Sequence, residues 1–221
     1  VRAIGIGVIV LALAIPLAAQ TRRPAPAPPP RGNVPDVSMR PFFVVTGQSF
    51  TANNTFTAVF GRSVHPFIGG GLQVALRNGL YVDLTASRFK KTGERAFLDA
   101  NKRPFGLGIP LTATITPFEV TGGFRFHRRS TLVPYVGAGL GSYAYKEESQ
   151  FAEASENVSV RHKGYLLAGG AEFRVRRRLG LSVDVQYTRI AGILGTGGLS
   201  RDAGENDLGG MAARFKVIVG R

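Results

Sequence analysis

From Leu181 to Thr188 the side chains alternate strictly: Leu181, Val183, Val185 and Tyr187 share one parity, and Ser182, Asp184, Gln186 and Thr188 share the other. Successive side chains of a strand point to opposite faces, so a period of two marks a strand lying between two unlike surroundings. The pattern recurs along the chain. Leu80, Val82, Leu84 and Ala86 oppose Tyr81, Asp83, Thr85 and Ser87, while Phe118, Val120, Phe124 and Phe126 oppose Glu119, Thr121, Arg125 and His127. Met211, Ala213, Phe215, Val217 and Val219 oppose Arg214 and Lys216, and the stretches Gly71 to Arg77 and Tyr165 to Val175 read alike. No window after Pro41 sustains the 3.6-residue apolar period of an amphipathic helix.

The connections set the topology. Short ones fall at Arg77-Asn78-Gly79, at His127 to Thr131 and at Arg176 to Arg178, and long ones at 51–66, 90–110, 147–161 and 191–207. Asn-Gly supplies the positive φ that a tight hairpin demands. With a first strand near Pro41 to Phe50 this makes eight strands, joined alternately by long and short links. Such regularity predicts an up-and-down antiparallel barrel, because closure removes the unpaired edges of an open sheet.

Alternation alone does not say which face meets which solvent. Asp83, Glu119, Arg125, Glu172, Arg174, Asp184, Arg214 and Lys216 all lie on the parity opposite the aliphatic set. A soluble barrel would turn them to water and close on an apolar cavity lined by Leu181, Val183 and Val185. A membrane barrel reverses this, with an apolar band outside and polar groups within. The long loops gathered at one end, the glycines inside strands (Gly69 to Gly71, Gly122, Gly123, Gly137, Gly139, Gly141, Gly169, Gly170) and an export signal favour the membrane form. The predicted class is therefore all-β, an eight-stranded antiparallel up-and-down transmembrane β-barrel. An exported soluble barrel that binds an apolar ligand is the alternative.

The export signal is residues 1–19. Arg2 precedes an uncharged apolar run from Ala3, broken by Pro16 and closed by Ala18 and Ala19, which is the layout of a secretory signal peptide and is too short for a spanning helix. Residues 20–40 form a Pro- and Arg-rich linker with six prolines between Pro24 and Pro35, too poor in apolar residues to build a core. The barrel is assigned to 41–221.

Those strand pairs, LQVALRNGLYVDLTASRF, FEVTGGFRFHRRSTLVPYVGAGLGSYAY and GYLLAGGAEFRVRRRLGLSVDVQYTRI, with the closing AARFKVIV, resemble the small eight-stranded outer-membrane β-barrels, the OmpA-transmembrane-domain and OmpX-like proteins. The resemblance covers Pro41 to Arg221. It implies residence in a bacterial outer membrane, insertion by the barrel-insertion machinery, and a structural or adhesion role through long external loops. The chain departs from the family at its end: such proteins usually finish on an aromatic residue, whereas here Phe215 is the last one.

Chemistry is sparse. The absence of cysteine removes thiol nucleophiles and cysteine-based metal sites. His65, His127 and His162 are scattered, without metal-ligand spacing, and no nucleophile elbow or phosphate-cradling Gly-Lys-Ser/Thr loop occurs. We expect no enzyme activity, no cofactor and no metal. Two clusters remain. Asp83, Glu119, Glu172 and Asp184 face Arg125, Arg174, Arg214 and Lys216 as a lumen charge network, which is expected to be a salt-bridged plug because eight strands leave room only for side chains. Polar lumen positions should then tolerate charge, so that Gln186→Arg is expected to be milder than Val183→Arg. Lys90, Lys91, Arg95, Lys102 and Arg103 crowd the second long loop. With a net charge of +14 over the chain, they suggest contacts to anionic outer-membrane lipid, including lipopolysaccharide, and not to nucleic acid, which an exported barrel does not meet.

Overall fold

The two parities of each strand end up facing two different surroundings. In a computed structural model that describes residues 37–98, 104–127, 130–149, 158–194, 200–201 and 203–220, the strands are β1 Val37–Phe50, β2 Val64–Leu76, β3 Leu80–Leu98, β4 Pro104–Arg125, β5 Leu132–Ser149, β6 Val158–Arg176, β7 Leu179–Arg189 and β8 Gly210–Val219, with a helix α1 Asn53–Phe60 between β1 and β2. Each strand pairs antiparallel with the next, and β8 returns to β1, where Val45 opposes Phe215, so the sheet closes into a barrel in chain order. This is the eight-stranded up-and-down build of the OmpA-transmembrane-domain and OmpX-like barrels. Residues 1–36, which hold the expected signal peptide and most of the expected linker, lie outside the described residues.

The aliphatic parity is outside. Val183 is 62% and Leu140 70% exposed, and Phe43, Val82, Phe118, Val136, Phe173 and Phe215 join them in a belt around the wall. The charged parity is inside, where Glu172 is 1% and Lys216 2% exposed. The soluble alternative is therefore corrected: Val183 and Val185 line no cavity, and a barrel with carboxylates buried and valines turned out has the polarity required in a bilayer. The ten residues of β8 rise about 33 Å along the strand, which at a tilt of about 40° spans roughly 25 Å of depth, the height of a membrane-barrel apolar band.

Several boundaries move. β1 begins at Val37, within the expected linker, and so brings Arg40 onto the lumen face. β3 and β4 run on well beyond the belt, with pairing from Phe89↔Ile115 to Leu98↔Pro104 and a bulge between Glu94 and Ala96, so the described part of the loop expected at 90–110 is strand. β5 and β6 likewise extend to Ser149 and back from Val158. Beyond a membrane both faces of a strand can be wetted, so the alternation that marks a strand fades while the ladder continues. At the short turn Arg77–Gly79 only Gly79 takes a positive φ, of 103°, and Leu80 N–H is bonded to Asn78 Oδ1 at 3.1 Å.

Candidate functional site

The lumen contains two layers. The lower one, toward the short turns, is a continuous polar network to which every strand contributes. Glu172 on β6 receives both Nη atoms of Arg40, at 2.5 and 2.9 Å, and Nη2 of Arg125 at 2.6 Å. Arg174 stands at the rim, 3.8 Å from Glu172 and 37% exposed. From Arg40 the chain of bonds passes to Gln73 at 2.9 Å, and Gln73 Nε2 donates to Asp83 at 2.9 Å. Lys216 bridges Asp83 at 3.1 Å and Asp184 at 3.4 Å, with Nζ also over the Phe42 and Tyr135 rings. Asp184 then accepts from Arg214 Nε at 2.5 Å and from the Tyr135 hydroxyl at 2.6 Å. Arg214 also donates to Gln186, whose Nε2 donates to Glu119 at 3.0 Å, and Tyr143 donates to the same carboxylate at 2.9 Å.

Taken out of water, each of these charges would cost several kcal/mol alone, and only mutual pairing with saturated hydrogen bonding makes the layer tolerable. The structure brings together all eight charged residues singled out above. It adds Arg40, hidden among prolines and arginines, and the uncharged Gln73, Tyr135 and Tyr143, and it ties in Gln186, expected above only as a polar lumen position. The role of Gln186 changes one expectation. Because it accepts from Arg214 and donates to Glu119 and Thr188, an arginine there would press a second guanidinium against the first, so a polar lumen does not make the position permissive. Space for the large rings comes from glycine: a Cβ at Gly137 would lie 2.5 Å from the Tyr81 hydroxyl.

The upper layer is apolar, against the expectation of a polar interior throughout. Phe50, Phe67, Phe89, Ala113, Ile115, Tyr143, Tyr145, Ile190 and Leu208 form one buried cluster, with α1 laid into it. Phe56 of α1 stacks on Phe50 with centroids 3.9 Å apart. The helix has no side-chain cap of its own. Instead Glu205, from the β7–β8 connection, accepts from the backbone N–H groups of Asn54 and Thr55 at 2.9 Å each and from the Thr55 hydroxyl at 2.6 Å. At the other end Gly61 takes φ 74° and Lys91 Nζ donates to Phe60 C=O at 3.0 Å. An acid at the helix start and a cation at its end suit the helix dipole. Between the layers lies a cavity of about 40 Å³, with Val44, Phe50 and Ile115 in its walls and Glu119, Tyr143 and Arg214 on its floor; it has room for a few water molecules and no more.

Lys90 and Lys91, two of the expected loop cations, face opposite sides of β3. Lys91 turns inward to α1 and is committed to Phe60. Lys90 is exposed on the outer wall of β3, Arg95 is half-buried on the same strand, and Lys102 and Arg103 lie outside the described residues. His65, expected in a loop, heads β2 fully buried among Phe50, Phe56, Phe60 and Phe89, with Nε2 2.8 Å from Arg62 C=O. Among the described residues no group of three His, Asp or Glu side chains is placed to hold a metal ion.

No protein-family model matches the chain, and no curated protein matches it. Several solved structures are similar to it. Neisserial surface protein A is 12% identical, covering 84% of this chain and 97% of that one, with a TM-score of 0.49. A major outer membrane protein from Thermus thermophilus is 14% identical over 82% and 99%, with a TM-score of 0.46. The N-terminal β-barrel domain of Pseudomonas aeruginosa OprF is 12% identical over 82% and 97%, with a TM-score of 0.44.

Proposed function

We propose that the chain is a non-enzymatic outer-membrane barrel that acts by anchoring and surface contact and not by passing solutes. The observation that carries this reading is the double closure of the lumen: a polar network spanning all eight strands below, and an apolar core with a helix set into its mouth above. A general porin needs continuous water, which two layers of packed side chains do not leave. The material that a closed barrel presents to the outside is at its long-link end. There the paired β3–β4 and β5–β6 strands continue beyond the apolar belt, giving a rigid platform for contact with an external partner.

Outer-membrane lipid is then the partner around the wall, and the barrel-insertion machinery the one that seats the chain in it. The short turns face the periplasm, since an exported chain whose first strand runs outward returns there after an even number of crossings. Planar-bilayer recording tests the closure. Reconstituted protein, shown to be folded by its altered migration on an unboiled gel, should give little or no conductance, and stable nanosiemens-scale openings would overturn the reading.

A further inference from the structure

Just above the apolar belt, the outward face of the barrel is basic on one side only. Arg88 and Lys90 stand on β3, Lys146 on β5, Arg161 and Lys163 on β6, and Arg189, 3.6 Å from Asp207, on β7, all exposed and on the lipid-side parity. On the opposite side the corresponding outward positions of β8, β1 and β2 are Met211, Gly47, Ser49, Pro66 and Val64, none charged. A general electrostatic girdle for a membrane surface would run round the whole barrel. A patch confined to one face points to a discrete ligand.

The densest part is on β5 and β6. Ala144 pairs with Arg161, Ser142 with Lys163 and Lys146 with Ser159. Lys146 and Arg161 are thus diagonal neighbours, about 7 Å apart at the backbone, and Arg161 and Lys163 are successive residues of one strand face at a similar spacing. Among the described residues no carboxylate lies within ion-pair distance of any of the three, and the nearest acid on this face, Glu148, lies beyond Lys146 and away from the belt. Three like charges held so close repel one another unless an anion joins them. Directly beside them a groove of about 360 Å³ is lined by Lys146 at its upper end, by Thr116, Ala144 and Arg161 in the register row below, and by Phe118 and Ser142 in the next row, which Lys163 flanks. Below it the wall continues as Leu140 and Val120. The groove therefore has cations along its upper end and one flank and opens downward, past Phe118, onto the apolar belt.

We infer that Lys146, Arg161 and Lys163 form a binding site on the outer wall for a membrane lipid whose headgroup carries a phosphate monoester, the phosphate held by the three cations and the acyl chains lying down the groove against Phe118 and the belt. The inference rests on the membrane reading above and names its lipid partner. A phosphodiester headgroup carries a single negative charge, whereas a phosphate monoester carries close to two at neutral pH and has three acceptor oxygens, which suits a trio of donors. The site differs from the loop cluster expected from sequence: of that cluster only Lys90 stands on this basic face, and it lies one strand beyond Thr114 in the same register row as Lys146.

Native mass spectrometry of the full chain from detergent tests this with three probes: diphosphoryl lipid A, phosphatidylglycerol and inorganic phosphate. The wild type should retain one lipid A at least tenfold more tightly than phosphatidylglycerol and should not retain inorganic phosphate. Lys146→Gln, Arg161→Gln and Lys163→Gln combined should abolish that preference. Arg176→Gln, Arg177→Gln and Arg178→Gln combined, which remove the same charge at the short-turn end, should preserve it. Equal retention by both triple variants, or equal retention of lipid A and phosphatidylglycerol by the wild type, would overturn the site. Retention of inorganic phosphate would overturn it as a lipid site, because the apolar part of the groove would then take no part. Unboiled-gel migration of each protein separates these outcomes from failure of the barrel: a wild type that does not migrate as a closed barrel contradicts the membrane reading itself.

Discussion

At the scale of single residues, Glu172 is the position on which the lower lumen depends most, because three guanidinium groups converge on its carboxylate. Glu172→Gln keeps the shape but leaves Arg40 and Arg125 buried without their counter-charge, and should cost about 3–5 kcal/mol. Urea titration of protein folded in phospholipid vesicles measures this, and adding Arg125→Met to the same chain should recover part of the loss. On the other face, Val183→Arg sets a charge against lipid and should cost roughly 2–4 kcal/mol in the same titration. Gln186→Arg should now cost at least a comparable amount, through Arg214. The eight charged lumen positions were readable from alternation because each lies between two apolar neighbours. Arg40 was not, since Pro41 follows it and three other arginines and six prolines precede it in what reads as a solvated spacer. Gln73, Tyr135 and Gln186 carry no charge that would single them out, and their role exists only once β2, β5 and β7 are brought to one axis.

Among the elements, α1 is the part that sequence patterning could not reveal. It has eight residues, barely two turns, too short to display a helical period. Its stability comes from elsewhere in the chain: Phe56 buried in the lumen mouth and Glu205 at its first turn. Glu205→Ala should therefore loosen the helix locally, speeding hydrogen exchange at Phe56 and Gly61 by about fivefold for a cap worth about 1 kcal/mol, while leaving the urea midpoint of the barrel unchanged. A matching drop in the midpoint would mean that α1 is part of the barrel's cooperative core. The apolar upper lumen is hidden from alternation for a related reason. Phe67, Phe89 and Ile115 continue the same parity as Gln73, Asp83 and Glu119, so the inner face changes character along one strand and the contrast that defines alternation disappears. The strand extensions through Lys90 to Leu98 were read as loop because charges occur on both of their faces; only the ladder to β4 identifies them as strand.

For the molecule as a whole, the described chain ends, at Val37 and Gly220, lie with the short turns, and the long links lie at the opposite end. Trypsin added to intact cells should thus cut near Lys102 and Arg103 and spare Arg176 to Arg178, whereas cutting at that arginine turn with the long links protected, in unbroken cells, would invert the sidedness. The central claim is more basic than sidedness: the valines of a strand face lipid and its charges face the lumen. The chain contains no cysteine, so single ones can be placed along β7, labelled with an environment-sensitive fluorophore, and read in vesicles whose acyl chains carry a quencher. Labels at Val183→Cys and Val185→Cys should be quenched strongly, and labels at Ser182→Cys and Thr188→Cys weakly. Quenching that is equal on the two parities, or stronger at 182 and 188, would contradict the inverted barrel on which the closed lumen, the external platform and the lipid site all depend.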